Sequence, residues 1–212
     1  DERKIMLPKR FMDWGYRQRG ELVSRQLAGE DMDRRDVFLG FTRHTPAVIT
    51  DGPAGLNGSI QGVGFVPKKE HLQPILKRYL EHIESPADEG YSRRGLELLK
   101  EIIWGPESEE MLDFGILGTL ELAKSHSWDN LRNNGEATLL FYQPPVISFE
   151  LRCEAEIHEN GPYQQFLNAQ HDLYHGAQRE RWDSRPAYLF RIREVFDNSA
   201  SKAGFGKRIY PE

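Results

Sequence analysis

Apolar positions along this chain change period several times, and each change marks a new element. Between residues 9 and 28, Phe11, Trp14, Leu22, Val23 and Leu27 recur at loosely helical spacing among Arg, Gln and Glu, and Gly29 suits a helix stop. This pattern predicts a helix packed on a sheet. Val37-Phe38-Leu39-Gly40-Phe41 and Ala47-Val48-Ile49-Thr50 are short β-rich runs, broken by Arg43-His44-Thr45-Pro46 and closed by Asp51-Gly52-Pro53, so they predict a strand pair. Residues 58–66 alternate and end at Pro67, which predicts a third strand whose glycines permit a bend. From 69 to 104 the period becomes helical, with Leu72, Ile75, Leu76, Tyr79, Leu80 and Ile83 on one face and Leu96, Leu98, Leu99, Ile102 and Ile103 on another. Two helices joined around Ser85-Pro86 follow, either covering one end of a barrel or forming a partner surface.

β character returns in residues 114–122, 136–142 and 146–158 and, after a helix near 161–180, in 187–196. Gln143-Pro144-Pro145 turns one of these strands into the next. Strands joined mostly by hairpins and interrupted by helices predict a small antiparallel barrel with α additions, not a parallel βαβ sheet. A chain of 212 residues, 38% of them hydrophobic, can bury one sizeable core, so residues 1–212 are expected to form one domain with a helical insertion at about 69–104.

Charge and cysteine content narrow the partners. A net charge of −5 with 29% charged residues of both signs gives no general basic field, which argues against nucleic acid. The single cysteine, Cys153, excludes an internal disulfide and lies in an alternating apolar run where a buried, inert thiol is expected. No stretch approaches the roughly 20 apolar residues of a membrane span, and Asp1-Glu2-Arg3-Lys4 leads into no apolar secretory core, so a cytoplasmic protein without a membrane partner is expected.

Three constellations could carry chemistry. Where the strand Leu117-Gly118-Thr119 hands over to a short polar helix, Ser125 and Ser127 offer hydroxyls, Lys124, His126 and Arg132 offer charge, and Asn130, Asn133 and Asn134 offer amide donors. Such a set could saturate a phosphate at a helix start. Equally, Ser125 or Ser127 could simply cap an amphipathic helix whose Trp128 and Leu131 pack inward. Second, His171 and His175 lie four apart on one helical face, a spacing that can ligate metal or haem, with Asp172 or Glu180 as added oxygen donors. Solvated or hydrogen-bonded histidines are the plainer alternative. Third, Arg191 and Arg193 share a strand face and, with Arg179, Arg181 and Arg185, could clamp an anion or pair with Glu180, Asp183 and Glu194. Trp182 and Tyr188 could stack on a ligand ring or complete the core. No nucleophile elbow, phosphate-binding Gly-Lys loop or dinucleotide glycine signature is present.

The string Ser127-Trp128-Asp129-Asn130-Leu131-Arg132-Asn133-Asn134-Gly135-Glu136-Ala137, flanked by the strands at 117–119 and 148–157, resembles the pyridoxamine 5'-phosphate oxidase-like FMN-binding split barrels. The resemblance covers roughly residues 113–196, and more weakly 20–66. It implies an α+β fold, a mainly antiparallel split β-barrel with peripheral helices, assembled as a homodimer that binds FMN. By position, Lys124, Ser125, Ser127, Trp128 and Arg132 would be the cofactor contacts, and the reaction would be flavin redox chemistry on a small molecule. Where that family opens with an Ala-Thr strand and an Asp-Gly-x-Pro turn, this chain has Phe41-Thr42-Arg43-His44-Thr45-Pro46, with Asp51-Gly52-Pro53 later. Its phosphate helix carries Ser127 or His126 where a basic residue is usual. The substrate-binding C-terminal segment of pyridoxamine 5'-phosphate oxidase itself has no match. The competing expectation is a non-catalytic or haem- or metal-binding split barrel whose helical insert serves as an interaction surface.

Overall fold

A computed structural model describes residues 7–211. Helix α1 (Lys9–Met12), a π-helical turn (Asp13–Arg17) and α2 (Gln18–Leu27) run on without a break, as the spacing of Phe11, Trp14 and Leu22 predicts. Next comes α3 (Arg34–Thr42), where a strand was expected over Val37–Phe41. A five-residue apolar run does not distinguish the two states. Here the helix is started by Asp33, whose carboxylate accepts the Arg35 N–H at 2.8 Å, a side-chain cap placed just before the run.

β1 (Ala47–Thr50) therefore pairs not with that run but with β2 (Asn57–Ile60), Ala47 opposite Ile60 and Thr50 opposite Asn57. Asp51-Gly52-Pro53 begins the turn between them, so the opening hairpin is present after all, a few residues later than the expected replacement at 41–46. The predicted third strand over 58–66 is two strands: β2, and β3 (Gly64–Pro67) at the far side of the sheet. After α4 (Lys69–Ile83), α5 (Tyr91–Trp104) and the short α6 (Ser108–Met111) come β4 (Leu112–Leu120), α7 (His126–Leu131), β5 (Glu136–Gln143) and β6 (Ile147–His158). The chain ends with α8 (Pro162–His175), a 3-10 turn (Arg179–Ser184), β7 (Ala187–Asp197) and β8 (Lys207–Tyr210), the last a short polar strand that hydropathy did not mark.

All pairings are antiparallel, and the order across the sheet is β2-β1-β5-β6-β7-β4-β3, with β8 added to β7. The two ends of that order, β2 and β3, are joined by Gln61-Gly62-Val63 alone. An extended chain from Ile60 to Gly64 spans about 14 Å at most, so the sheet must curl until its edges almost meet. The link is tied at both sides. The Gln61 and Val63 N–H groups donate to the Pro46 and His44 carbonyls, and the Thr119 hydroxyl donates to the Gly62 carbonyl at 2.6 Å. The fold is the α+β, mainly antiparallel split barrel that the resemblance implied.

The barrel interior and its helices share one hydrophobic cluster. Phe11 and Trp14 meet Phe141 and Phe149 at ring separations of 5.3–5.9 Å, closing one end. On the other side α4 and α5 pack on α8, Tyr79 stacking on Phe166 at 5.4 Å. The helical insertion thus lies against α8. Among the described residues no helix is long and apolar enough to cross a membrane.

Contact between α5 and α8 is closest at Gly95, where a Cβ would stand 1.9 Å from the Leu173 carbonyl oxygen. Gly95→Ala gains about 1 kcal/mol of helix propensity, but a backbone clash this close forces the two helices apart at about 3 kcal/mol, the upper end of overpacking costs. A net loss of about 2 kcal/mol is expected, read as a lower urea midpoint at unchanged slope. An unchanged or raised midpoint would contradict this packing.

Candidate functional site

Curling the sheet under its helices leaves a cavity of about 1010 Å³. Its walls come from four places: α2 and α3 with His44, the Gln61–Val63 link, the end of β4 with the turn into α7, and the α5 and α8 faces carrying Leu99, Trp104, Gln170 and His171. Most of this lining is apolar. Its polar groups divide into those the fold already engages and those it leaves without a partner.

The turn from β4 to α7 is built by a residue that sequence reading passed over. Glu121 is buried, and its carboxylate accepts the Ala123 and Lys124 N–H groups, each at 2.7 Å, and the Tyr188 hydroxyl at 2.8 Å. These bonds hold Lys124 at φ 47°, a left-handed conformation that a lysine does not adopt unaided. Burial, and then the hydrogen bond to Glu121, pushes the Tyr188 phenol well above its ordinary range. Tyr188 is thus a core residue anchoring the turn, not a free stacking surface.

α7 then divides the predicted set in two. Ser125 and Ser127 line the cavity, as does His126. Ser125 makes no capping bond with its side chain, whereas the Ser127 hydroxyl is engaged by the Asn57 amide at 2.9 Å and by Ser59 at 3.1 Å. Lys124, Trp128 and Arg132 do not line it. Trp128 packs inward toward Tyr188, with the Lys124 ammonium 5.3 Å and the Arg132 guanidinium 5.5 Å from its ring centre. Cation–π contact and burial of Trp128 explain that placement.

The amide donors proposed for the phosphate are also occupied. Asn130 is fully buried; its Oδ1 accepts the Ala54 N–H at 2.8 Å, while its Nδ2 donates to the Thr50 hydroxyl at 3.1 Å and the Gly55 carbonyl at 2.8 Å. It holds the β1–β2 turn against α7. Asn133 donates to the Asp129 carbonyl and Asn134 caps the start of β5 through the Glu136 N–H.

His171 and His175 both line the cavity, their rings 4.6 Å apart. The His171 Nδ1 lies 3.1 Å from the Asp172 carboxylate, and burial, then the His171 charge, lowers the His175 pKa. Asp172 is no third ligand. It is fully buried and accepts from the Gln178 N–H and the Trp182 indole, with Arg185 at 3.7 Å. Glu180 does not join the histidines either, for no group of three His, Cys, Asp or Glu side chains among the described residues could hold a metal. Of the arginines, Arg191 pairs with Glu156 at 3.0 Å, Arg193 with Glu154, and Arg179 with Glu84 at 3.1 Å while lying over Trp182. None lines the cavity. They form ion pairs, as the plainer reading has it, but with Glu156, Glu154 and Glu84 in place of the expected Glu180, Asp183 and Glu194, and Trp182 is core. Cys153 is buried and desolvation pushes its thiol up to about 12, an inert group as expected.

Two further cavity residues carried no sequence signal, Arg19 on α2 and His44 after α3. Burial, and then the charge of Arg19, pushes the His44 imidazole down to about 3, so it is neutral at ordinary pH.

No protein-family model matches the chain, and no curated protein sequence matches it. Among solved structures it is similar to HupZ of Group A Streptococcus at TM-score 0.44 and 10% identity, over 80% of this chain and 97% of that one. It is similar also to an F420 reductase at TM-score 0.41 and 14% identity, over 72% and 88% of the two chains. General Stress Protein 26 from Bacillus anthracis gives TM-score 0.42 and 10% identity, over 84% and 98%. These are likenesses in the course of the chain and transfer no residue's role.

Asn130→Ala removes the three bonds that join α7 to the β1–β2 turn and leaves buried groups unpaired. A destabilisation of about 2–4 kcal/mol is expected in denaturant unfolding. A loss below about 1 kcal/mol would mean that α7 is positioned by other contacts.

Proposed function

We propose that this protein is an FMN-dependent oxidoreductase acting on a small organic molecule in the cytoplasm. The observation that carries the reading is a ligand-sized cavity that begins at the hydroxyl-lined β4–α7 turn and contains unpaired amide groups. Gln61 and Gln170 each bring a buried amide oxygen without a hydrogen-bond partner to the cavity wall. Such groups suit the polar edge of a flavin ring, and the turn suits its phosphate. Ser125 would bind the phosphate directly, with Lys124 and Arg132 adding charge from the outer side of Trp128. When bound, FMN supplies hydride or electron transfer, while the chain's own residues orient it and exclude water.

The mouth of the cavity supports a homodimer. Phe41, Ile60 and Leu122 line it and are 54%, 71% and 63% exposed. Exposed apolar side chains clustered around a cavity call for a cover. A second reading, a haem- or metal-binding barrel, is favoured by one observation alone, the paired His171 and His175 facing the cavity.

Titration with FMN, followed by flavin fluorescence and by absorption near roughly 450 nm, tests the proposal. Binding is expected, and Lys124→Ala with Ser125→Ala should weaken it by about 1.5–3 kcal/mol while the fold persists. No FMN uptake, or uptake of haem with a Soret band lost in His171→Ala, would sink the flavin reading.

A further inference from the structure

The cavity has a second polar end, further along the Gln61–Val63 link from the Ser125 turn. Arg19 is the only Lys or Arg among the described residues lining the cavity, and Glu121 the only carboxylate. Glu121 is fully engaged by two backbone N–H groups and Tyr188. Arg19 has no such partner. No carboxylate among the described residues lies within salt-bridge distance of its guanidinium, whose single hydrogen bond is a long one of 3.4 Å to the Val63 carbonyl. The group lies over the Trp104 ring at 5.4 Å, and that indole is fixed by its own bond to the Tyr16 carbonyl at 2.9 Å.

Desolvation lowers the Arg19 pKa to about 10, which still leaves it charged at neutral pH. A part-buried cation with no carboxylate among the described residues opposite it is a costly arrangement unless an anion completes it. Beside it, His44 brings a buried Nδ1 that has no hydrogen-bond partner. Leu22, Leu96 and Leu99 line the same cavity and give it apolar wall.

We propose that Arg19 anchors the carboxylate of a small, otherwise apolar acid, with His44 as a second polar contact and the acid's body against Leu22, Leu96 and Leu99. A guanidinium fork matches a carboxylate edge, and one guanidinium beside a neutral imidazole matches one negative charge. As the flavin's substrate, the acid rests on the function proposed above; as a ligand of the cavity, it does not.

Calorimetric titration of the full chain, without and with FMN, tests this using benzoate, benzamide and inorganic phosphate as probes. Benzoate is expected to bind without FMN, at least about tenfold tighter than its neutral isostere benzamide. Arg19→Met, which keeps an apolar stem, should weaken benzoate by at least about tenfold, and Arg19→Lys should weaken it less. Phosphate at equal concentration should not displace benzoate. Absence of benzoate binding, equal affinity for benzamide, unchanged affinity in Arg19→Met, or displacement by phosphate would each overturn the proposal. If Arg19→Met does not fold, the comparison of benzoate with benzamide on the native chain decides. Benzoate binding without FMN uptake would uphold the acid site and refute the flavin reading, and the reverse pattern would do the opposite.

Discussion

Three residues close this barrel. Gln61, Gly62 and Val63 join strands that stand at opposite ends of the sheet order, and their short reach forces the whole sheet to curl. Had the link been long, the same pairings could have formed a flatter sheet with two open edges. The bond from Thr119 to the Gly62 carbonyl and the bond from the Val63 N–H to His44 fix the link to β4 on one side and to the end of α3 on the other. Consequently the start of α7, His44 and α8 all face one space. The cavity follows from closure and does not need a separate explanation.

In and around that space the charges are arranged unevenly. The buried carboxylates are inward-directed structural acceptors: Glu121 shapes the β4–α7 turn, and Asp172 gathers Gln178, Trp182 and His171 behind α8. Each is matched by donors, which is the condition for burying it. The arginines of β7 are matched at the surface by glutamates of β6. Arg19 and the unpaired amide oxygens of Gln61 and Gln170 stand outside these matched sets, and all three residues line the cavity. Groups that are left over and also line the cavity are the ones available to a ligand there.

Much of the fold was legible because one face of most elements is buried. β5 and β6 alternate, β7 opens with a continuous buried run, and α4 and α5 carry apolar stripes, so pattern and element agreed. The failures were at short segments. Val37–Phe41 has strand-like composition, yet the Asp33 cap three residues before Asp36 sets a helix, and the helix leaves Phe38 and Phe41 exposed. Residues 58–66 read as one strand because nothing local shows that the chain changes sheet edges at Gly62. The site was half legible: Ser125, Ser127, His171 and His175 do face the cavity, while Lys124, Trp128 and Arg132 form a stack outside it. Arg19 was hidden because its significance lies in what it lacks, a partner, and that is a property of the folded chain.

The central claim is that the closing link and the β4–α7 turn bound one ligand cavity. Hydrogen exchange measured with and without FMN tests it most directly, because amides in both segments should slow together on binding. The account predicts protection centred on residues 61–64 and 125–127. No change in either segment, or protection confined to the outer faces of α4 and α5, would contradict it.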